Sequence, residues 1–175
     1  MIESKRLILR KIMRDDFELL AKMLKDIDVM YAWEHAFSDE EINNWIINQL
    51  KRYHEDGIGY LLAIDKNTNE TVGQIGLLRQ LINGEKCWGI GYILCKEHWG
   101  KGYATEGAKA CLGYAFNVLD ADKVICDIRP QNIASINVAK RLGMTKTGEH
   151  IKHYNGQDML HEIYEITKTE YQRIH

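Results

Sequence analysis

The chain has 175 residues, enough to bury one substantial core and few for two, so a single domain over residues 1–175 is expected. Apolar residues make up 45% of the chain and charged residues 27%, which excludes a disordered or fibrous protein. The 23 basic and 25 acidic side chains leave a formal charge of -2, so the chain lacks the positive field that draws proteins onto nucleic acid or anionic membranes, and neither is expected as a partner.

Targeting, redox and metal signals are weak in this sequence. The amino terminus lacks the apolar core of a signal peptide and no run of about 18 apolar residues occurs, so a cytoplasmic protein is expected. Four cysteines form no C-x-x-C pair and are interpreted as reduced packing residues: Cys87, Cys95, Cys111 and Cys126. Three histidines without a fixed ligand spacing are interpreted as solvated side chains, and no metal site is predicted: His150, His153 and His161.

The first part of the chain predicts a strand followed by two helices. Leu7-Ile8-Leu9-Arg10 has the pattern of a strand, and apolar residues then recur at helical spacing at Leu20, Met23, Leu24 and Ile27. Ser38 and Glu41 have the spacing of a capping box, which predicts the start of a second helix. Its buried face is expected to contain Ile42, Trp45, Ile46, Leu50 and Tyr53.

The middle and end of the chain predict six more strands and two more helices. Three strands joined by short turns are expected at 59–64, 71–77 and 87–95, and should be antiparallel neighbours. A long amphipathic helix is predicted from Gly102 to Asp120, then a strand at 123–128, a short helix at 132–142, and a hairpin around Asn155-Gly156. This order predicts an α/β (α+β) fold, a mostly antiparallel sheet with one parallel β-α-β crossover covered by helices.

One segment, Ile93 to Thr105, runs from a strand end through Gly100 and Gly102 into a helix start. Backbone N–H groups at a helix start lack partners and lie at the positive end of the helix dipole, so they bind phosphate oxygens, and Lys101 can add charge. The motifs of the P-loop and of dinucleotide-binding proteins are both absent, so another phosphate-bearing ligand is predicted. The alternative is a tight strand-to-helix turn that needs small residues.

At these residues the chain resembles the GCN5-related N-acetyltransferases, and within them the Rim-like branch that acetylates ribosomal proteins. The resemblance rests on three segments in the order of the family: Glu3 to Arg10, Trp99-Gly100-Lys101-Gly102-Tyr103-Ala104-Thr105-Glu106, and Asn132 to Met144. It implies a twisted sheet of seven strands flanked by four helices. It also implies direct transfer of an acetyl group from acetyl-coenzyme A to a primary amine, with no metal and no covalent enzyme intermediate.

The resemblance also assigns the contacts to coenzyme A. Pantetheine would pair with the backbone at the end of the third central strand, the amides of the glycine turn would hold the pyrophosphate, and the last helix would bind the pantetheine arm. The residues so assigned are Ile93, Leu94, Cys95, Trp99, Gly100, Lys101, Gly102, Tyr103, Ala104, Thr105, Asn132, Ser135 and Asn137. Trp99 stands where the wider family has Gln or Arg, so its contact with pyrophosphate would be through the backbone only.

Two proton-transfer positions of the family are occupied by small residues here. Other members use a tyrosine where this chain has Ala139, so Ser135 is predicted to protonate the leaving thiolate; without the resemblance, a serine inside a helix is interpreted as solvated or back-bonded. Many Rim-like members carry a glutamate where this chain has Gly89. The substitutes for that base are Glu34, His35 and the Tyr92 hydroxyl.

The acceptor is expected to be an α-amine, such as a peptide amino terminus or a small amino compound. Deprotonation at pH 7 costs roughly 1.4 kcal/mol for an α-amine and roughly 4.6 for lysine, and the base is weak here. Two alternatives are open: a polyamine or antibiotic acetyltransferase that uses the acidic stretch of Glu34, Asp39, Glu40 and Glu41, or a non-catalytic protein that senses coenzyme A. The acids can instead complement a helix dipole. A monomer or homodimer is expected.

Overall fold

The computed structural model describes residues 1–175. The strands are β1 (Ile2–Glu3), β2 (Leu7–Lys11), β3 (Tyr60–Asp65), β4 (Thr71–Ile82), β5 (Glu85–Leu94), β6 (Lys123–Ile128), β7 (Thr145–Tyr154) and β8 (Gln157–Thr167). The α-helices are α1 (Phe17–Leu24), α2 (Asp39–Glu55), α3 (Tyr103–Asn117), α4 (Ile133–Arg141) and α5 (Lys168–Ile174). Three short 3₁₀ helices lie at Arg14–Asp16, Tyr31–Trp33 and Lys96–His98.

All eight strands form one sheet in the order β1-β2-β3-β4-β5-β6-β8-β7. Every neighbouring pair is antiparallel except β5 and β6, which are joined by the α3 crossover and pair in parallel at Trp88↔Val124 and Gly89↔Ile125. β5 continues to Leu94, so its last residues, 90–94, have no strand beside them on the β6 side. The sheet therefore opens into a gap at its centre.

The two faces of the sheet carry separate apolar cores, because side chains alternate along each strand. In β5, Trp88, Ile90 and Leu94 pack in the core under α3, whereas Ile93 and Cys95 pack in the core with α1 and α2. The central strands are thus buried on both sides, and this holds the gap between β5 and β6 in the middle of the molecule.

The predicted mixed, mostly antiparallel fold is confirmed, with one strand and one helix more than expected. β1 has two residues, too few to show a period, and forms because Ile2 pairs with Leu9 of β2. α5 begins at a capping box in which the Thr167 hydroxyl accepts from the Glu170 amide at 3.3 Å, a signal present in the sequence but not used. The expectation that Ile27 extends α1 is wrong, since α1 ends at Leu24 and Ile27 is 55% exposed.

Two other local predictions are confirmed, namely the capping box of α2 and the burial of the cysteines. The Ser38 hydroxyl accepts from the Glu41 amide at 3.2 Å and the Glu41 carboxylate accepts from the Ser38 amide at 2.8 Å, which is the predicted capping box of α2. All four cysteines are buried and free. None of the helices has both the length and the apolar character needed to cross a membrane. No group of three or more His, Cys, Asp and Glu side chains is placed to hold a metal ion.

Candidate active site

The gap between β5 and β6 leads into a cavity of about 1020 Å³, which we call the first cavity. Its walls come from the end of β5, the start of α3, the 3₁₀ turn before α2, and α4. Eleven of the predicted coenzyme contacts line it: Ile93, Leu94, Trp99, Gly100, Gly102, Tyr103, Ala104, Thr105, Asn132, Ser135 and Asn137. The folded chain therefore brings together two segments that are about 30 residues apart in sequence.

The turn into α3 has the backbone geometry of an anion cradle. Gly100 and Gly102 have φ angles of 72° and 80°, in the left-handed region where a side chain is strained. Gly102 is the N-cap of α3, and no side chain caps the free amides of the first turn. A Cβ added at Gly100 would meet nothing within 4 Å. The turn is therefore open toward the cavity and fits a pyrophosphate.

Three cationic side chains that the sequence reasoning missed also line the first cavity, namely Lys5, Lys109 and Arg141. They come from the β1–β2 turn, from α3 and from the end of α4. Lys109 follows Thr105 by four residues on α3, so the helical period alone could have placed it on the cavity side. Lys5 and Arg141 have no such signal, because only the folded chain brings their elements to the cavity.

The start of α4 is tied to both sides of the gap. The Asn132 side-chain oxygen accepts from the Ser135 amide at 3.1 Å and caps the helix, and it also accepts from the Tyr31 hydroxyl. From β5, the Tyr92 hydroxyl donates to the Ser135 carbonyl oxygen at 3.0 Å. The Asn132 amide NH₂ is left as the group that can donate into the cavity.

A second cavity, of about 170 Å³, lies beside the first. Five residues line both, so the two cavities meet at Ala32, Trp33, Tyr92, Asn132 and Ser135. The second cavity lies over the middle of β5, where Gly91 leaves room for the Tyr60 ring: a Cβ at Gly91 would lie 2.2 Å from the Tyr60 hydroxyl oxygen.

Gly89, which takes the place of the glutamate in many Rim-like members, is covered by another side chain. A Cβ at Gly89 would lie 2.6 Å from Nε2 of Gln80 on the neighbouring strand β4. The Gln80 amide thus occupies the space of the missing side chain, and it lines the second cavity. An amide is not a base, so the proton acceptor must lie elsewhere.

The second cavity contains a buried carboxylate that lies beside a lysine and a histidine. The Asp127 side chain is 8% exposed, and its Oδ2 lies 3.2 Å from Lys152 Nζ and 3.4 Å from His150 Nε2. Burial raises the pKa of Asp127, but His150 and Lys152 outweigh burial and lower that pKa to about 2. Asp127 is therefore ionised at neutral pH.

His161 also lines this cavity and is buried. Its Nδ1 lies 3.1 Å from the Met159 carbonyl oxygen, which can only accept, so Nδ1 carries the hydrogen and Nε2 has the free lone pair. Burial lowers the pKa of His161, so the imidazole is neutral at pH 7. Burial also raises the pKa of Tyr92 well above its ordinary value, so its hydroxyl keeps its proton.

The remaining predicted residues lie outside both cavities. Glu34 forms an ion pair with Arg129 at 3.1 Å, and His35 forms one with Glu41 at 2.7 Å. The Cys95 side chain packs in the core with α1 and α2, where burial raises the pKa of its thiol to about 11. Lys101 is exposed and does not line the first cavity.

Residues 6–145 match a family model described as an acetyltransferase (GNAT) domain. The chain belongs to the GNAT family of acetyltransferases. It is thus an acyltransferase, and as in this family its acetyl donor is acetyl-coenzyme A.

Known proteins agree with this assignment. The uncharacterized protein YkkB of Bacillus subtilis is 36% identical over 131 residues, covering 75% of this chain and 76% of YkkB. The uncharacterized N-acetyltransferase YnaD of the same organism is 28% identical over 148 residues, covering 84% of each chain. A GNAT-family acetyltransferase from Bacillus anthracis superposes with a TM-score of 0.82 at 26% identity, over 96% of this chain and 98% of that one.

Proposed function

We propose that this GNAT acetyltransferase binds acetyl-coenzyme A in the first cavity and transfers the acetyl group directly to the α-amine of a peptide or small amino compound in the second cavity. The observation that supports this is the meeting of the two cavities at Tyr92 and Ser135. A thioester in one cavity and an amine in the other come within attacking distance only there. Positioning of two reactants in this way accounts for a large part of many enzymatic rate accelerations.

The donor side uses mainly backbone groups. The free amides from Gly100 to Thr105 hold the pyrophosphate, and the open edge of β5 takes the pantetheine arm. The Leu94 carbonyl oxygen on β5 already accepts from the Trp99 indole at 3.1 Å, so Trp99 fixes the end of the strand rather than contacting phosphate with its ring. The Asn132 amide donates to the arm, and Lys5, Lys109 and Arg141 supply positive charge for the phosphates.

The reaction then needs two proton transfers, one away from the amine and one to the leaving thiolate. The amine nitrogen bonds to the thioester carbonyl carbon, the carbon–sulfur bond breaks, and Ser135 delivers a proton to the leaving thiolate. Tyr92 keeps its own proton at neutral pH, so it fits the role of holding α4 against β5 through the Ser135 carbonyl and not that of a base.

The charges of the acceptor side favour an α-amine over a polyamine. Three of the four acids that suggested a polycation site are engaged elsewhere, since Glu34 pairs with Arg129, Asp39 with Lys25 at 2.5 Å, and Glu41 with His35. None of them lines either cavity. The one carboxylate of the second cavity, that of Asp127, already lies 3.2 Å from the Lys152 ammonium and 3.4 Å from His150 Nε2. A chain with several ammonium groups would find little to pair with.

The relatives include both substrate classes, so they leave the acceptor to experiment. The spermidine N(1)-acetyltransferase of Escherichia coli is 34% identical over 67 residues, which is 37% of this chain. Two solved structures, a ribosomal-protein-S5-alanine acetyltransferase from Vibrio fischeri and a spermidine N-acetyltransferase from Vibrio cholerae, are each 20% identical with a TM-score of 0.76. At that identity they support the shared fold alone.

The first prediction is that thiol release from acetyl-coenzyme A depends on an α-amine. The panel contains a peptide with a free amino terminus and a second version of it in which the terminus is formylated and one lysine is added. It also contains free amino acids, spermidine and an aminoglycoside. Since the α-amine costs about 3 kcal/mol less to deprotonate at pH 7 than lysine does, we expect kcat/KM for the free terminus to exceed that for the formylated peptide at least 100-fold. Mass spectrometry of the products locates the acetyl group.

Different outcomes contradict different parts of the proposal. A higher kcat/KM for spermidine, falling steeply with salt, would replace the α-amine by a polyamine and leave the acetyl transfer standing. Tight binding of acetyl-coenzyme A without thiol release from any acceptor would show a protein that senses coenzyme A. An acetylated Cys95 in the presence of acetyl-coenzyme A would refute the direct transfer.

A further inference from the structure

Three polar side chains at the second cavity are unused by the steps above: Asp127 and His161 line it, and His150 lies beside them outside the lining. In the β6–β8 register, Asp127 lies opposite Ile163, so Asp127 and His161 project from the same face of the sheet. In the β7–β8 register, His150 lies directly opposite His161, and their ring centroids are 5.5 Å apart. Three neighbouring strands thus place one carboxylate and two imidazoles together at the cavity.

This cluster has an unmet hydrogen-bonding group. His150 is 10% exposed, and its buried Nε2 makes no hydrogen bond, although it lies at ion-pair distance from Asp127. Buried polar atoms without partners are uncommon in folded proteins, and they mark places where a ligand or water completes the site. The members of this cluster that a polar group in the second cavity can reach are Asp127 and His161, which line it.

His161 is the member of the cluster that can take up a proton. The Met159 carbonyl oxygen fixes the hydrogen on Nδ1, and Nε2 is left as the basic atom. The charged and titratable groups that line the same cavity are Asp127 and Cys126 from β6, Lys152 and Tyr154 from β7, Tyr92 from β5, Tyr60 from β3, and Arg129 after β6; His150 of β7 lies opposite His161. Burial lowers the pKa of His161, so its imidazole is neutral at pH 7. The negative charge of Asp127 acts against burial and stabilises the imidazolium that forms when the ring takes up a proton.

We infer that His161 accepts the proton of the acceptor amine in the second cavity and that Asp127 stabilises the imidazolium that forms. The inference rests on the proposed function. An ammonium that enters the cavity gives one proton to His161 Nε2, and the neutral amine then attacks the thioester. Of its two remaining hydrogens, one stays on the amide and one passes to the thiolate through Ser135, and His161 releases its proton to solvent. The protein therefore has a base, His161, even though Gly89 stands where many Rim-like members carry a glutamate.

The test is the pH profile of kcat/KM for the α-amine peptide in His161→Asn. The Asn amide can still donate to the Met159 carbonyl but has no basic nitrogen. We expect kcat/KM at pH 7 to fall by roughly 10²–10⁴-fold, the usual contribution of a general base. We also expect the deficit to shrink about tenfold per pH unit up to the pKa of the amine near 8, because an enzyme without a base must wait for the neutral amine. Calorimetric affinity for coenzyme A should be unchanged.

Two further measurements separate a base from a packing residue. In Asp127→Asn, loss of the negative charge lowers the pKa of His161, so the acid limb of the profile moves to lower pH as the rate falls. The NMR titration of the His161 ring in the wild-type protein must coincide with that limb, below the ordinary histidine pKa of 6.5. His153→Asn on the same hairpin, whose side chain is 81% exposed, is the matched control and should keep the wild-type profile.

The outcomes are distinguishable. If His161→Asn, or His161→Gln where the first variant does not fold, stays within threefold of wild type at pH 7 with its acid limb in place, the inference is wrong and the proposed function stands. A His161 ring that titrates above pH 7.5 would overturn it as well. If the wild-type protein acetylates no amine, the proposed function is wrong, and the inference that His161 is the base is wrong with it.

Discussion

Ser135 and Tyr92 lie next to each other where the two cavities meet, but they have different chemical roles. Tyr92 donates to the carbonyl of Ser135 across the gap, while the Ser135 hydroxyl lies where both cavities meet. The position that other family members fill with a tyrosine is Ala139, which is fully buried against the core under α3. Ala139 lines neither cavity, and Ser135 is the residue of α4 that lines both.

Substitution of these two residues should separate catalysis from support. In Ser135→Ala, we expect kcat to fall roughly 100-fold with an unchanged affinity for coenzyme A, because the thiolate loses its proton donor. In Tyr92→Phe, we expect kcat to fall less than tenfold and the free energy of unfolding to fall by about 1 kcal/mol, since one buried hydrogen bond is lost. Steady-state kinetics and urea denaturation provide the two numbers.

The opposite result would exchange the roles of Ser135 and Tyr92. A Tyr92→Phe variant that loses more kcat than Ser135→Ala would make the Tyr92 hydroxyl the donor. Its raised pKa permits that role, since the hydroxyl holds its proton throughout the neutral range.

At the scale of elements, the start of α3 combines several interactions that fix the phosphate turn. Arg6, from the β1–β2 turn, donates to the Lys101 carbonyl at 3.0 Å and to the Glu106 carboxylate at 2.6 Å. The Tyr103 hydroxyl donates to Asp65 at the end of β3 at 2.6 Å. The first turn of α3 is thus braced from two strands, and its free amides point into a site whose shape is set before a ligand arrives.

Gly102→Ala should weaken binding of coenzyme A without blocking folding. Alanine in the left-handed region costs about 1–2 kcal/mol, and here the strain falls on the N-cap whose amides hold the phosphates. We expect the free turn to relax out of this strained geometry, so that binding must restore it, and the same cost then makes the affinity roughly 5- to 30-fold weaker by calorimetry. Gly84→Ala, with φ at 83° in the β4–β5 turn and open space around it, is the matched control.

The control should lose a similar free energy of unfolding and keep the wild-type affinity. Equal losses of affinity in both variants would mean that the α3 turn has no special part in binding.

At the scale of the molecule, several carboxylates are held ionised by the fold. Asp16 accepts from both Arg10 nitrogens at 2.7 and 2.8 Å, and burial, which raises its pKa, is outweighed by this pairing, so the net pKa is lowered. Glu106 follows the same pattern with Ser4 and Arg6. A carboxyl whose pKa is lowered in the folded state stabilises the protein above its unfolded pKa near 4, and this contribution is lost as the pH falls through the folded pKa.

We therefore expect the contribution of these carboxyls to the free energy of unfolding to be constant from pH 7 to about pH 5 and to decrease progressively between about pH 4 and pH 2. Asp127, with a pKa lowered to about 2, alone contributes on the order of 2 kcal/mol to that decrease. Urea denaturation at a series of pH values measures it. Asp16→Asn, remote from both cavities, should lower stability at pH 7 and flatten the acid decrease. A midpoint that does not change between pH 7 and pH 3 would contradict this account.

The sequence by itself determined the order of most strands and helices and predicted the donor half of the site. The alternation of strands and helices and the glycines before an amphipathic helix are local patterns that backbone physics constrains, whereas the parts of Asn132 and Ser135 followed from the resemblance to the family. The strand pairs from β2 to β5 followed from short turns. The ends of elements were less certain: a two-residue strand has no period, and Ile27 continues a helical spacing beyond the point where α1 stops.

Only the tertiary structure decided the acceptor half. The second cavity joins side chains from six strands, and no spacing in the chain relates Asp127 to His150 and His161 until β6, β8 and β7 are neighbours. A histidine on a hairpin looks solvated in the sequence because burial is a property of the packed sheet. Glu34 was a candidate base because the sequence shows no partner for its carboxylate. In the folded chain it forms an ion pair with Arg129, since charged side chains that are distant in sequence meet only after folding.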